Sequence, residues 1–181
     1  MKNTKKYSII LADPPWRYDF SKDNADKIEN HYPTMTLENI KNLTIPSDDN
    51  SVLYLWATAP KLLEALEVMS AWGFKYTTQM VWDKEWIGMG YWFRGQHEML
   101  LVGKKGKFSP PKTDRVSSVL RERRTAHSKK PVIIKKWINQ WFPEASKIEL
   151  FAREKTEGWD CVGNGINGKD IRQELEELCQ G

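Results

Sequence analysis

Short apolar runs alternate along this chain with segments in which apolar residues recur every three or four positions. The runs are rich in β-branched and aromatic residues and are bounded by polar turn residues, a pattern typical of buried strands. The predicted strands cover residues 7–12, 51–57, 75–82, 97–103, 147–152 and 159–163.

Segments with helical spacing lie between these strands. Thr36 is a predicted N-cap for a short helix whose apolar face holds Leu37, Ile40 and Leu43. A second helix begins at Pro60 and stops at a glycine after residue 72, and two more are predicted over 131–142 and 170–178. Residues 104–128 contain much Gly, Pro, Ser and charge and are predicted to form a long loop, and residues 163–170 a polar turn.

Strands that alternate with helices predict an α/β fold with a mainly parallel sheet flanked by helices. The length of 181 residues fits a single domain spanning residues 1–181. In such sheets ligands bind at the carboxyl ends of strands, next to the point where the strand order reverses. Residues that follow a predicted strand are therefore the first candidates for chemistry.

The charge balance permits a polyanionic partner without demanding one. The chain has 28 Lys plus Arg and 24 Asp plus Glu, a formal charge of +4. The bases crowd one third of the chain, where they predict either a solvated loop surface or a phosphate-facing stripe. They are Lys104, Lys105, Lys107, Lys112, Arg115, Arg121, Arg123, Arg124, Lys129, Lys130, Lys135 and Lys136.

Cysteine usage and hydropathy argue against disulfide-stabilised, metal-binding, secreted and membrane-spanning classes of protein. The two cysteines have no CxxC spacing and few histidines accompany them, so neither a disulfide framework nor a metal site is indicated. A reducing cytoplasmic location is expected. The apolar run near the start is too short for a signal-peptide core or a membrane span, so no membrane association is expected. The nine tryptophans are expected mainly in the core.

The first strand ends in the sequence Asp13-Pro14-Pro15-Trp16. Two prolines remove two N–H donors, so the turn presents a carboxylate and carbonyl oxygens. Such a corner suits an exocyclic amine, whose two hydrogens Asp13 and the Pro14 carbonyl would accept, while Trp16 would stack on the attached base. The alternative is structural, because Asp-Pro sequences begin ordinary turns and a tryptophan after a turn is usually packed in the core.

Nine segments occur in the order found in a known family. They are ADPPW (12–16), HYPTM (31–35), LYLWAT (53–58), WGF (72–74), WDK (82–84), QHEMLLVGKKG (96–106), AHSKKP (126–131), KIELFAR (147–153) and GWDCVGN (158–164). With these segments the chain resembles the MT-A70 family of S-adenosylmethionine-dependent adenine N6-methyltransferases, over residues 9–165. The resemblance implies a Rossmann-like class I methyltransferase fold, permuted so that the DPPW strand precedes the cofactor strands.

The resemblance also implies roles for individual residues. Asp13, Pro14, Pro15 and Trp16 would form the catalytic tetrad. Tyr32 falls where the family places an aromatic residue beside the target nucleoside, although a buried or turn tyrosine is the alternative. Lys129, in AHSKKP, is a further substrate-binding candidate.

The cofactor implied is S-adenosyl-L-methionine. Arg153 and Asn164 would meet its ribose hydroxyls, Lys155 would add a polar contact, and Asp13 would lie near its methionine amine. Gly165 replaces a side chain that often follows the asparagine in the family. His97 aligns with a basic residue near the cofactor carboxylate, although a histidine that enters an apolar strand is more often structural.

The expected reaction is methyl transfer to the N6 amine of adenine in nucleic acid. DNA is favoured over RNA by analogy with compact bacterial or phage enzymes. Alternatives are methylation of cytosine N4, RNA adenosine N6-methylation, or a catalytically silent nucleic-acid-binding subunit. A homodimer or a partner subunit is compatible with the apolar segment EWIGMGYWF, residues 85–93.

Overall fold

The structure is a computed structural model that describes residues 5–18, 34–90, 92–125 and 129–180. Seven strands and five helices follow one another in the described part of the chain. The strands are β1 (Tyr7–Ala12), β2 (Ser47–Ala57), β3 (Lys75–Asp83), β4 (His97–Lys105), β5 (Val119–Arg121), β6 (Lys147–Leu150) and β7 (Asp160–Val162). The helices are α1 (Leu37–Lys41), α2 (Leu62–Ala71), α3 (Ile133–Trp141), α4 (Asn164–Asn167) and α5 (Ile171–Gln180), and a short 3₁₀ turn, Ala59–Lys61, precedes α2.

The described strands form one sheet in the order β5-β3-β4-β2-β1-β6-β7. Strand β1 is parallel to both β2 and β6, and β6 is parallel to β7. Strand β4 runs antiparallel to its neighbours β2 and β3, and β3 is parallel to β5. The predicted α/β fold with a mainly parallel sheet flanked by helices is confirmed, with β4 as the reversed strand.

Apolar side chains cover both faces of this sheet. On one face α1, α2 and α5 contribute Ile40, Met69 and Leu175 to a core with alternate residues of the strands. On the other face α3 packs Ile134 and Ile138 against a second core. Burial on both faces explains why β1 and β2 read as continuous apolar runs.

Strand β1 occupies the position at which the strand order reverses. The chain leaves β1 toward β2 on one side, whereas β6 and β7 are added on the other side. The carboxyl ends of β1 and β6 therefore flank the crevice in which open α/β sheets bind ligands. Strand β1, which carries the DPPW turn, precedes β6 and β7 in the chain, as expected.

Several elements differ from the sequence-based expectation. Three residues of the predicted loop 104–128 form β5, because the open edge of β3 supplies backbone partners at Val81, Trp82 and Asp83. The predicted polar turn contains the short helix α4. Strand β6 ends at residue 150 because Phe151 takes a left-handed conformation with φ of 61°. Within the described ranges, no helix is long and apolar enough to span a bilayer.

Candidate active site

A tight turn follows β1 and places Asp13 at the carboxyl edge of the sheet. The Trp16 amide donates to the Pro14 carbonyl at 2.9 Å, and the Met35 amide donates to the Pro15 carbonyl at 3.0 Å. Because neither proline has an N–H group, the corner offers oxygen acceptors, as the sequence indicated. The Pro14 carbonyl already accepts one N–H, so one further lone pair is available to a ligand.

Trp16 secures this turn to the neighbouring strand. Its side chain is only 6% exposed, and its indole N–H donates to the Trp56 carbonyl in β2 at 3.1 Å. A ring buried to this extent has almost no free face for a nucleobase. In this structure the ring fixes the position of the corner, and the predicted stacking on the target base stays a prediction.

Four side chains of alternating charge form a connected cluster beside the turn. Lys130 Nζ donates to Asp13 Oδ2 at 2.8 Å and lies 3.3 Å from Glu98 Oε2. Lys84 Nζ lies 3.4 Å from the other oxygen of Glu98. The Lys130 ammonium also lies 5.6 Å from the centre of the Trp56 ring, within range of a cation–π contact.

Burial and charge together determine the state of Lys130. Its side chain is 18% exposed, and those of Asp13 and Glu98 are 24% and 13% exposed. Burial disfavours the ammonium, but the two carboxylates outweigh burial and hold the pKa of Lys130 above its usual range. Lys130 is therefore a fixed cation beside Asp13 at neutral pH.

A cleft of about 910 Å³ opens at the carboxyl ends of β1 and β6. Asp13, Lys130, Phe151 and Arg153 are among its lining residues. The volume lies within the roughly 300–1,000 Å³ typical of small-molecule sites. The structure thus has a cleft at the place where the strand order predicts one.

A second buried ion pair forms part of the cleft wall. Lys135 Nζ donates to Glu149 Oε2 at 2.5 Å and to Thr156 Oγ1 at 2.8 Å. Burial raises the pKa of Glu149; Lys135 opposes this shift, and the charge of Asp13 adds to it. Because Lys130 and Lys135 neutralise carboxylates inside the cleft, these two members of the basic stripe do not form a phosphate-facing surface.

The cleft brings together four of the predicted site residues. Lys129, Arg153 and Lys155 line it together with Asp13, and all three basic side chains are exposed at its mouth. Lys129 Nζ lies 3.9 Å from a carboxylate oxygen of Glu154, an exposed pair. These residues supply donors at the rim, whereas Asp13 supplies an acceptor deeper in the cleft.

Gly165 contributes through close backbone packing. A Cβ atom at this position would lie 2.9 Å from the Cα of Arg153 and 3.2 Å from the Ala152 carbonyl oxygen. The start of α4 therefore approaches the segment after β6 more closely than a larger residue would allow. Gly165 helps to place Arg153 and does not itself line the cleft.

His97 is not among the residues that line the cleft, and its role beside the cofactor stays a prediction. It is exposed at the start of β4 and pairs with Asp83 of β3. Successive side chains of a strand point to opposite faces. The next residue, Glu98, accordingly reaches Lys130 while His97 points to the other face.

Two candidates cannot be placed in the cleft. Tyr32 lies outside the described residues. For Asn164 the structure describes the backbone, which begins α4, but not the side chain. Their roles beside the target nucleoside and the ribose stay predictions.

Sequence reasoning missed Glu98 and Glu149 as site residues. Both are acids inside otherwise apolar strands, and such residues are rarely buried without a partner. That signal was present in the sequence. The partners, Lys130 and Lys135, were noticed only as members of the basic stripe, because the contacts join elements far apart in the chain.

The cleft suits a ligand with both cationic and anionic groups. Its wall carries the carboxylates of Asp13 and Glu149, each beside a lysine. Its mouth carries Arg153 and Lys155. Among the residues that the structure describes, no group of three or more His, Cys, Asp or Glu is positioned to hold a metal ion.

Comparison with known proteins shows which family this chain matches and which proteins it resembles. The family model described as MT-A70 matches residues 7–165. The Type II methyltransferase M.MunI of Mycoplasma sp is 37% identical over 189 residues, covering 92% of this chain and 81% of that protein. The human N(6)-adenosine-methyltransferase catalytic subunit METTL3 is 28% identical over 174 residues, covering 90% of this chain and 29% of its own length. The Arabidopsis thaliana N(6)-adenosine-methyltransferase MT-A70-like protein is 28% identical over 173 residues, covering 90% of this chain and 24% of its own length.

Proposed function

Because the chain belongs to the MT-A70 family of adenine N6-methyltransferases, we propose that it methylates the N6 amine of adenine in DNA with S-adenosylmethionine as donor. The predictions of the family and of a methyltransferase acting on adenine are confirmed by this membership. The observation that carries the proposal is the Asp13 carboxylate, held by Lys130 at the cleft between β1 and β6.

The chemistry of the cleft fits the proposed cofactor. S-adenosylmethionine carries an ammonium, a carboxylate, a ribose diol and a sulfonium-bound methyl group that is already activated for transfer. Asp13 is the carboxylate proposed to accept from the cofactor ammonium. Arg153 and Lys155 are the donors proposed for the ribose hydroxyls, with Asn164 as the proposed amide partner.

At the corner the residues of this chain position an amine. Asp13 and the Pro14 carbonyl each accept one hydrogen of the adenine amine, which turns the nitrogen lone pair out of conjugation and toward the methyl group. Transfer would break the sulfonium–methyl bond, form the N–CH3 bond and leave the donor as a neutral thioether. The methylated nitrogen would then lose one proton, for which Asp13 is the proposed acceptor. No covalent enzyme intermediate is required.

Lys130 is a positioning residue in this scheme. Its hydrogen bond fixes one oxygen of Asp13 and leaves the other oxygen for the amine. Glu98 in turn holds the same ammonium, at 3.3 Å. Such preorganisation spares the site from reorienting dipoles during the reaction.

DNA is proposed as the polymer because the relative matched over most of its own length is named a Type II methyltransferase, a class of DNA-modifying enzymes. The chain spans only about a quarter of the relatives named as adenosine methyltransferases. An adenine within a duplex must leave the base stack before it reaches a cleft of this kind, at a cost of a few kcal/mol. A bacterial DNA substrate also implies the cytoplasm as the location.

Incubation with radiolabelled S-adenosylmethionine and matched DNA and RNA, followed by digestion to nucleosides, tests the proposal. Label in N6-methyldeoxyadenosine is expected. Label in N4-methyldeoxycytidine or in N6-methyladenosine from RNA would contradict the proposed base or polymer. Cofactor binding without any label in either polymer would support a silent subunit.

A further inference from the structure

The loop between β3 and β4 exposes large apolar side chains. We call its described residues, 84–90 and 92–96, the aromatic loop. Trp92 is 94% exposed, Phe93 is 89% exposed and Met89 is 86% exposed. Most of the described tryptophans are buried or half-buried, so this concentration at one loop departs from the rest of the protein.

The backbone holds the loop in place. The Lys84 amide donates to the Gln96 carbonyl at 2.9 Å, and the Gly88 amide donates to the Gly95 carbonyl at 2.9 Å. A Cβ atom at Gly90 would lie 2.0 Å from the Phe93 carbonyl oxygen, so the tip turns as tightly as glycine allows. Backbone hydrogen bonds across the loop therefore hold Met89, Trp92 and Phe93 in their exposed positions.

Two arginines lie against the aromatic loop at Trp86. The guanidinium groups of Arg123 and Arg124 lie 5.4 Å and 5.1 Å from the centre of the Trp86 ring. The Arg124 amide donates to the Lys84 carbonyl, which joins this arginine segment to the root of the loop. Among the described residues, neither guanidinium has a carboxylate within 4.0 Å. The surface thus combines exposed rings with positive charge.

The root of the aromatic loop is tied to the proposed catalytic corner. Lys84 contacts Glu98, Glu98 contacts Lys130, and Lys130 contacts Asp13. The aromatic loop therefore lies at the same edge of the sheet, at the carboxyl ends of β1 and β3, as the Asp13 corner that would receive the target base.

We infer that the aromatic loop inserts Trp92 and Phe93 into the DNA duplex at the gap left by the flipped adenine, while Arg123 and Arg124 contact the phosphates. This inference rests on the proposed function. Flipping a base leaves an unstacked space, and apolar side chains commonly fill such spaces. Rings stack on bases of any sequence, and guanidinium groups neutralise the backbone on either side.

A second copy of the chain is the competing occupant. In a two-fold interface both copies use the same patch, so Arg123 and Arg124 of each copy would bring four positive charges into one interface. Juxtaposed like charges disfavour that contact. The positive charge of this surface therefore favours a polyanion such as DNA over a second copy of the chain as its partner.

The test compares a labelled duplex with a matched duplex that carries one abasic site, using fluorescence anisotropy over several salt concentrations. The abasic duplex offers the gap without any flipping. Wild-type protein is expected to prefer it. The double variant Trp92→Ala/Phe93→Ala is expected to bind the abasic duplex about 5- to 150-fold more weakly for each aromatic ring removed from the stack and to show no preference.

Two further variants separate the contributions. Arg123→Ala is expected to weaken binding to both duplexes and to reduce the salt slope by about 0.9 for each phosphate that the variant no longer neutralises. Leu63→Ala is the matched control, because Leu63 is an exposed apolar residue on α2, 73% exposed. It is expected to bind both duplexes as the wild type does.

Wild-type binding of both duplexes by the double variant would overturn the inference. A second result would also overturn it: the wild type sediments as a dimer, the double variant sediments as a monomer, and both bind DNA equally. The loop would then serve self-association. The proposed function is judged separately by the labelled nucleosides: full methylation by the double variant leaves that function standing and removes this role. If the wild type prefers the abasic duplex but yields no methylated nucleoside, the role of the loop stands and the proposed function is contradicted.

Discussion

Replacement of Lys130 by methionine removes the cation at the centre of the charge cluster while it keeps an unbranched side chain. Glu98 retains Lys84 as a partner, at 3.4 Å. Asp13 has no second cation within 4.0 Å among the described residues. The Lys130→Met variant therefore leaves one carboxylate of the site without a counter-charge.

The expected loss of stability follows from the burial of the pair. Removal of one partner of a fully buried ion pair costs about 3–5 kcal/mol, whereas an exposed pair contributes less than about 1 kcal/mol. Lys130 and Asp13 lie between these limits, with side chains 18% and 24% exposed. We expect Lys130→Met to lower the free energy of unfolding by about 1–3 kcal/mol at pH 7.

The pH dependence supplies an independent check. The pKa of Lys130 is raised above its ordinary value of 10.5 in the folded protein, so its contribution to stability is fully present below pH 10.5 and is lost as pH rises through the folded value. The difference in unfolding free energy between wild type and variant should therefore be constant from pH 7 to pH 9, a range chosen roughly one unit or more below the lysine pKa.

Urea denaturation of wild type and variant at these pH values, with methyl transfer measured in parallel, provides the assay. Methyl transfer should fall at least about tenfold, because Asp13 loses the hydrogen bond that orients it. Lys75→Met, at an exposed lysine that begins β3, is the matched control and should change neither quantity appreciably. Wild-type stability together with wild-type turnover in Lys130→Met would refute the role of the cluster.

Three other substitutions test single contacts. Asp170 accepts from the Arg172 amide at 2.9 Å at the start of α5, so Asp170→Ala should cost about 1 kcal/mol at pH 7. Arg172 holds the pKa of Asp170 at about 2, so this difference should shrink in denaturation curves as pH falls below 3.8 toward 2, and an undiminished difference would contradict the assignment. Gly163→Ala should destabilise by more than about 1 kcal/mol by calorimetry, because φ is 155° and a Cβ atom would lie 2.7 Å from backbone; an unchanged melting temperature would contradict it. Trp16→Phe leaves the Trp56 carbonyl without its donor and should cost about 1–3 kcal/mol in urea, whereas an unchanged midpoint would show that the hydrogen bond is dispensable.

The sequence predicted those features that depend on neighbouring residues. Strand β1 begins and ends as expected, and Thr36 caps α1 by accepting from the Asn39 amide at 3.3 Å. The place of Asp13 at the carboxyl edge followed from the end of that strand. The family motifs then supplied roles that no local pattern contains.

The features that the sequence did not predict depend on contacts between distant segments. Lys130 reaches Asp13 across 117 positions of the chain, so its inward orientation was not readable from the basic stripe. The sequence pointed to His97, but the neighbouring residue Glu98 is the one that contacts Lys130. A shift of one residue along a strand places a side chain on the other face of the sheet. The burial of Trp16 depends on β2, whose backbone accepts its indole N–H.

The central claim is that methyl transfer takes place at the Asp13 corner. Asp13→Asn keeps the shape of the side chain and removes its charge, and Asp49→Asn makes the same change at an exposed position. Single-turnover methyl transfer with saturating DNA and cofactor, and with cofactor binding measured alongside, is the most direct measurement. The account predicts a rate at least about 100-fold lower for Asp13→Asn and an unchanged rate for Asp49→Asn. A wild-type rate for a folded, cofactor-saturated Asp13→Asn protein would contradict it.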